Sequence, residues 1–79
     1  MRKYEIIVML RDGVKDNEGF AIMKAANTMS FVENKIHNFM IGKVMYVTCE
    51  DDLDMKILCE KLLANTVIEK YEINELCTD

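Results

Sequence analysis

Proline is absent from this 79-residue chain, and glycine occurs only three times. Disordered linkers and collagen-like repeats need one or both in quantity, so neither describes it. Cations are scarce too: ten Lys and Arg stand against 14 Asp and Glu, a formal charge of −4. Binding to a phosphate backbone needs the opposite imbalance, gathered on one face, and nucleic acid is therefore not an expected partner. The N-terminal region offers only residues 6–10 as an unbroken apolar run. That is too short for a signal h-region or a membrane span, so a soluble, cytoplasmic protein with no membrane partner is expected. Cys49, Cys59 and Cys77 are odd in number and show no C-x-x-C spacing. They make neither a paired disulfide framework nor a zinc half-site and read as reduced thiols, with Cys77 exposed near the end. His37 is the single histidine, with no Ser or Cys assignable to it as a nucleophile, and reads as a solvated surface group.

What is present is an ordinary globular composition, 51% hydrophobic and 30% charged. One domain over residues 1–79 is expected, small enough that an oligomer or a partner would add needed buried surface. Over 3–10, Tyr4, Ile6, Val8 and Leu10 alternate as the buried face of a strand. The other set, Lys3, Glu5, Ile7 and Met9, turns apolar in its second half, which hints that both faces are covered there. Asp12-Gly13 marks a turn, Asp16 or Asn17 caps a helix, and Ile22, Ala25, Ala26 and Met29 give that helix, over 17–31, a small-residue core stripe.

Between 36 and 49 β-branched and aromatic residues dominate, with Ile41-Gly42-Lys43 as a tight turn between two short strands, the preferred reading, or a bulge in one bent strand. Glu50-Asp51-Asp52 supplies the cap and acidic first turn of a second helix over 53–64. Its apolar face is Met55, Leu58, Cys59 and Leu62, widened by Leu63, and Asn65 is a left-handed stop. Residues 67–73 read as a last strand with Tyr71 and Ile73 on one face and Lys70 and Glu72 on the other, and 75–79 as a loose tail. The order β-α-β-β-α-β implies an α+β two-layer sandwich: an antiparallel sheet, two helices on one face, ferredoxin-like or a close variant. The open sheet face must be solvated or buried against another chain. Ile7, Met9, Phe39 and Ile41 are the candidates for a homodimer interface there.

Catalytic chemistry is hard to place. Asp12, Asp16 and Glu18 lack the spacing of a calcium loop, and Gly13 and Gly19 are isolated among carboxylates rather than forming a phosphate cradle. Glu50-Asp51-Asp52 with Asp54 is better explained by capping than by magnesium. An acylphosphatase-like enzyme of this size would need a cationic anion cradle after the first strand, where Arg11 is followed by Asp12 and Asp16. A metal-carrying domain would need two cysteines in that loop, and an RNA-recognition domain would need basic charge with aromatics on the sheet. No catalytic, cofactor-binding or metal-binding residue is therefore assigned.

The run CEKLLANTVIEKYE over 59–72 resembles the signature of the PurS family, the small subunit of phosphoribosylformylglycinamidine (FGAM) synthase in purine biosynthesis. LLANTVIE over 62–69 is its most specific part, supported by IGK at 41–43, the placement of the first helix, the first-strand pattern and the overall length. The chain departs from the family before the first helix, where Asp16-Asn17-Glu18-Gly19 stands in place of Asp-Pro-x-Gly; Asn17 caps well but does not fix φ as proline would. The resemblance implies a non-catalytic, dimeric or higher-order scaffold that bridges the synthetase PurL and the glutaminase PurQ and supports ammonia transfer between them. ATP, magnesium and glutamine would be used by the whole complex and none by this chain. Gly42, Lys43, Asn65 and Thr66 are the candidate contacts to those subunits. The alternative reading is a dimeric ACT-like regulatory domain holding a small metabolite between its subunits.

Overall fold

The computed structural model describes residues 1–77. Its sheet has three antiparallel strands in the order β2-β1-β3: β1 (Arg2–Leu10), β2 (Lys43–Cys49) and β3 (Glu69–Leu76). Two helical segments separate them, α1 (Asn17–Asn27) and α2 (Met55–Leu58), the latter continued by a π-helical turn over Cys59–Leu63. The expected α+β class, the antiparallel sheet and both helices are there; the expected fourth strand is not.

β1 is central because its sequence suits both neighbours. Tyr4, Ile6 and Val8 are buried on the inner face, where Met45, Val47, Cys49, Tyr71 and Ile73 flank them and Met55, Cys59 and Ala64 close over them. Ile7 and Met9 are half-buried on the outer face, opposite Val44, Glu72 and Lys70. β2 and β3 both run antiparallel to β1, so Lys43 and Glu69, at their starts, lie beside Val8 and Leu10 at its end. One end of the sheet therefore gathers the exit of β1 and the entries of both edge strands.

The fourth strand fails for a definable reason. Two side chains of α1 hold residues 36–41 along the helix instead. The Asn27 carboxamide grips Ile36 twice, accepting from its N–H at 3.1 Å and donating to its carbonyl at 2.9 Å. Asp16 caps α1 through Gly19 N–H at 2.7 Å and with its other oxygen accepts from Ile41 N–H, also at 2.7 Å. Eleven residues of helix span about 16 Å, and the five steps from Ile36 to Ile41 span the same about 16 Å only when nearly fully extended. The β-branched and aromatic character of this stretch thus yields extended backbone, but its polar groups go to side chains rather than to a ladder.

α1 ends at Asn27, four residues before the expected stop. Thr28 donates its hydroxyl to Ala25 O at 2.6 Å, and the left-handed pair Glu33 (φ 52°) and Asn34 (φ 59°) turns the chain back. The stripe expected as core is not core: Ile22, Ala25 and Met29 are exposed and Ala26 half-buried. The segment from Arg11 to Gly42 forms an arm that is tied to the sheet at its two ends, while its helix, α1, packs only marginally on the sheet. The radius of gyration is 16.5 Å, against about 12 Å for a compact chain of this length.

The second helix starts at Met55 rather than at 53, and its cap is Asp54, which accepts from Ile57 N–H at 3.2 Å; Glu50 instead closes a turn with Leu53. In the π turn Ala64 N–H reaches back five residues to Cys59 O at 2.9 Å. The wider turn rotates the register, so Leu63 and Ala64 face the core and Leu62, expected on the apolar face, is 74% exposed. Asn65 is not left-handed: the π turn closes on an extended Ala64 (φ −128°), and Glu33 and Asn34 are the positive-φ non-glycine residues among those described. β3 begins at Glu69 and reaches Leu76, into the segment expected as tail; the rest of that expectation, at residues 78 and 79, lies outside the described residues.

Candidate functional site

The four residues singled out as subunit contacts come together at the crowded end of the sheet. Gly42 enters β2 so close to β1 that a Cβ there would collide with Met9 Sδ and with the Val8 carbonyl oxygen. It permits a close backbone approach at that point. Lys43 follows it, exposed, opposite Val8. Both line a shallow pocket of about 190 Å³ with Ile41, Asp16, Glu18 and Glu69.

Glu69 joins this pocket to the 65–68 turn. Its carboxylate accepts from Asn65 N–H at 2.7 Å, while Asn65 O accepts from the N–H groups of Ile68 and Glu69 at 3.0 and 2.7 Å. Asn65 Oδ1 accepts from Val67 N–H at 3.2 Å, an Asx turn made by the side chain itself. From the β1 exit, Arg11 donates Nε to Thr66 O at 2.9 Å and its backbone N–H to Ile68 O at 2.8 Å. These contacts use the Asn65 acceptor and the Thr66 carbonyl within the turn. The turn holds its apolar residues outward, with Val67 82% exposed.

The four candidate dimer residues divide between two places. Ile7 and Met9 lie on the outer sheet face beside exposed Val44 and Tyr46. That face also carries a polar chain across all three strands: Tyr46 donates its hydroxyl to Glu5 at 3.1 Å, and Asn74 Nδ2 donates to Glu5 at 3.2 Å and to Glu72 at 2.8 Å. The Glu5 carboxylate, first through this hydrogen bond and then through its charge, raises the Tyr46 phenol above its ordinary pKa. Phe39 and Ile41 sit on the arm. Phe39 lines a groove of about 420 Å³ between α1 and the 36–41 segment, together with Phe20, Met23 and Lys15, and its carbonyl oxygen occupies the space a Cβ on Gly19 would need. His37, also on this groove, is exposed as expected.

The other shifted groups have structural causes. Hydrogen bonds from Gly19 N–H and Ile41 N–H hold the Asp16 carboxyl below its usual range, and burial raises the Cys59 thiol, with Glu60 adding to the effect. Arg2 is raised by its hydrogen bond to Tyr4 and by Glu75. Among the described residues no helix is long and apolar enough to cross a membrane.

The family model PurS, described as phosphoribosylformylglycinamidine (FGAM) synthase, matches residues 3–76. The chain belongs to the PurS family. It is 42% identical over 83 residues to the PurS subunit of phosphoribosylformylglycinamidine synthase from Bacillus subtilis, a match covering 96% of each chain. Among solved structures it is similar to B. subtilis PurS, with a TM-score of 0.84 at 38% identity over 98% of this chain and all of that one. It is also similar to a chain of PurLQS from Thermotoga maritima, with a TM-score of 0.67 at 28% identity over 95% of this chain and 96% of that one. The resemblance carried by residues 59–72 is thereby borne out over nearly the whole length, arm included. The ACT-like alternative is not favoured. The sequence pattern missed the arm's separateness and the outward turn of Leu62; the contacts of Asn27 and Asp16 that hold the arm are long-range and leave no local signal.

Proposed function

We propose that this chain is the small non-catalytic adaptor of a cytoplasmic FGAM synthase complex in de novo purine biosynthesis. In that role it bridges a PurL-type synthetase and a PurQ-type glutaminase and supports ammonia transfer between them. It takes no cofactor itself, ATP, magnesium and glutamine being used by the complex. The observation that carries this reading is the arm: in a PurS-family chain, it leaves Phe20, Ile22 and Met29 exposed and Phe31 78% exposed. Exposed side chains of this kind, arrayed along one arm, are better matched to a protein partner than to water.

A second copy is the first partner. Ile7, Met9, Val44 and Tyr46 on the outer sheet face, together with the arm, offer apolar surface on two sides of a thin molecule whose principal extents are 51 × 32 × 13 Å. A homodimer or higher oligomer would then present the Gly42–Lys43 and Asn65–Thr66 region in more than one copy. The PurLQS neighbour supports the assembly with PurL and PurQ. The test is co-purification of the chain with PurL and PurQ in glutamine and nucleotide. Retention of both supports the adaptor role, and retention of neither rejects it. A thermal shift of the isolated chain with an amino acid or purine nucleotide would favour the regulatory reading instead.

A further inference from the structure

The two edges of the sheet are built differently. β3 carries Glu69, Lys70, Glu72 and Glu75, and charged side chains of this kind keep a sheet edge from pairing with another chain. β2, KVMYVTC, has a single charge, Lys43, at its start and no proline, and its register with β1 is unbroken from Lys43 to Cys49. It pairs with β1 on one side only, and among the described residues no other backbone group hydrogen-bonds to it. Every second residue of β2 therefore turns an N–H and a C=O outward with no partner in the chain. A flat, uncharged edge of this length is a template for a further strand.

We propose that β2 joins the β2 of a second copy edge to edge, antiparallel about Tyr46, so that two three-stranded sheets become one continuous sheet. This rests on the homodimer reading and specifies its contact. A two-fold axis perpendicular to the sheet keeps α2 of both copies on one face and sets residues of the same facing opposite one another. With Tyr46 against Tyr46, all seven residues of the strand find a counterpart. Each Val44 lies against a Thr48 on the outer face, and each Met45 against a Val47 on the inner one. Lys43 meets Cys49 at the far end of the pairing and not another Lys43. Met45 and Val47 are half-buried beside the core, and the junction continues that core from one copy to the next. The ladder formed has about six to eight backbone hydrogen bonds. The occupant is a second copy rather than an unlike chain because every molecule meets its own copies at its own concentration. An edge reserved for another protein would have to repel them, and β2 has neither the charges nor the proline that would do so.

The test uses the whole chain. Amide exchange and sedimentation of wild type are followed from dilute to concentrated solution. As dimer forms, the alternate β2 amides that face away from β1 should slow at least tenfold, while the outward amides of β3 keep their rate and serve as the control. The register is read from Tyr46→Cys and Val44→Cys, each made in a chain carrying Cys49→Ser and Cys77→Ser; Cys59 is buried. Both positions are exposed on the outer face. A short bifunctional thiol reagent should link Tyr46→Cys chains into dimers and leave Val44→Cys chains apart, because two copies of position 44 would lie four residues, or about 13 Å, from each other. A wild-type dimer whose β2 amides do not slow, or whose β3 amides slow instead, overturns edge pairing through β2 and leaves the homodimer standing. Linking of Val44→Cys as efficient as that of Tyr46→Cys, or no linking of Tyr46→Cys, overturns the pairing about Tyr46. Wild type that stays monomeric at every concentration overturns the homodimer reading and the edge pairing with it.

Discussion

Gly42 shows how one missing atom shapes the molecule. Its neighbours leave no room for a Cβ, since Met9 Sδ and the Val8 carbonyl occupy the space. Gly42→Ala should destabilise the fold by about 1–3 kcal/mol, the usual cost of forcing extra volume into a packed site. Denaturant unfolding would measure it. Adding Met9→Ala should restore only part of the loss, because the Val8 oxygen belongs to β1 backbone and cannot swing away. Asp16 makes the complementary case, a side chain whose charge is used. Its carboxyl is held below the ordinary range, so the folded state favours the ionised form. The resulting stability is complete above the unfolded carboxylate value of about 4 and is lost as pH falls through the lower folded value. In Asp16→Asn both N–H groups lose a charged acceptor, and one of them, Gly19 or Ile41, loses its acceptor altogether because an amide NH2 replaces the oxygen. The melting-temperature gap between wild type and this variant should therefore be constant near neutrality and shrink in acid. A gap that persists unchanged to the lowest accessible pH would rule out the charge as the cause. The sequence already marks both residues, Asp16 as a cap and Gly42 within a turn, but not that Asp16 also reaches Ile41, because a contact 25 residues away leaves no local pattern.

At the scale of elements, legibility followed periodicity. The buried set of β1 recurs at every second residue and the strand is readable to within a residue; Tyr71 and Ile73 share the core face, as their common face in the sequence implies. The segment 36–41 was misread because β propensity reports extended backbone and not who satisfies its hydrogen bonds. Asn27 does so at one end and Asp16 at the other. The second helix was readable as an element but not in register, since nothing in CEKLL signals a five-residue hydrogen bond, and that one extra residue is what turns Leu62 out. The arm clamp can be tested directly. Asn27→Ala removes two partly buried hydrogen bonds, each worth about 0.5–1.5 kcal/mol. Amide exchange at Ile36 should accelerate accordingly, while amides of β1 paired within the sheet keep their protection, because α1 packs little on the sheet. Equal loss of protection in both would mean that arm and sheet unfold as one unit.

At the scale of the whole chain, the arm and the sheet make one thin object with little shared core. The fully buried side chains Ile6, Val8 and Cys59 all belong to the sheet and the helix over it. Such a core is small, and domains of this size seldom reach more than about 3–5 kcal/mol from a single core alone. The apolar side chains of α1 do not add to it in the isolated chain, so association is the route by which they would become buried. Stability should then depend on protein concentration by mass action. If a second copy covers the arm, a hundredfold increase in concentration contributes up to about RT ln 100, or 2.7 kcal/mol. For a small domain that is several degrees in Tm or more. Calorimetry across that range should show Tm rising with concentration, and Phe31→Asp or Met29→Asp, at exposed arm positions, should flatten the rise without altering β1 protection. A Tm independent of concentration in wild type would leave the arm's apolar face for an unlike subunit rather than for a second copy.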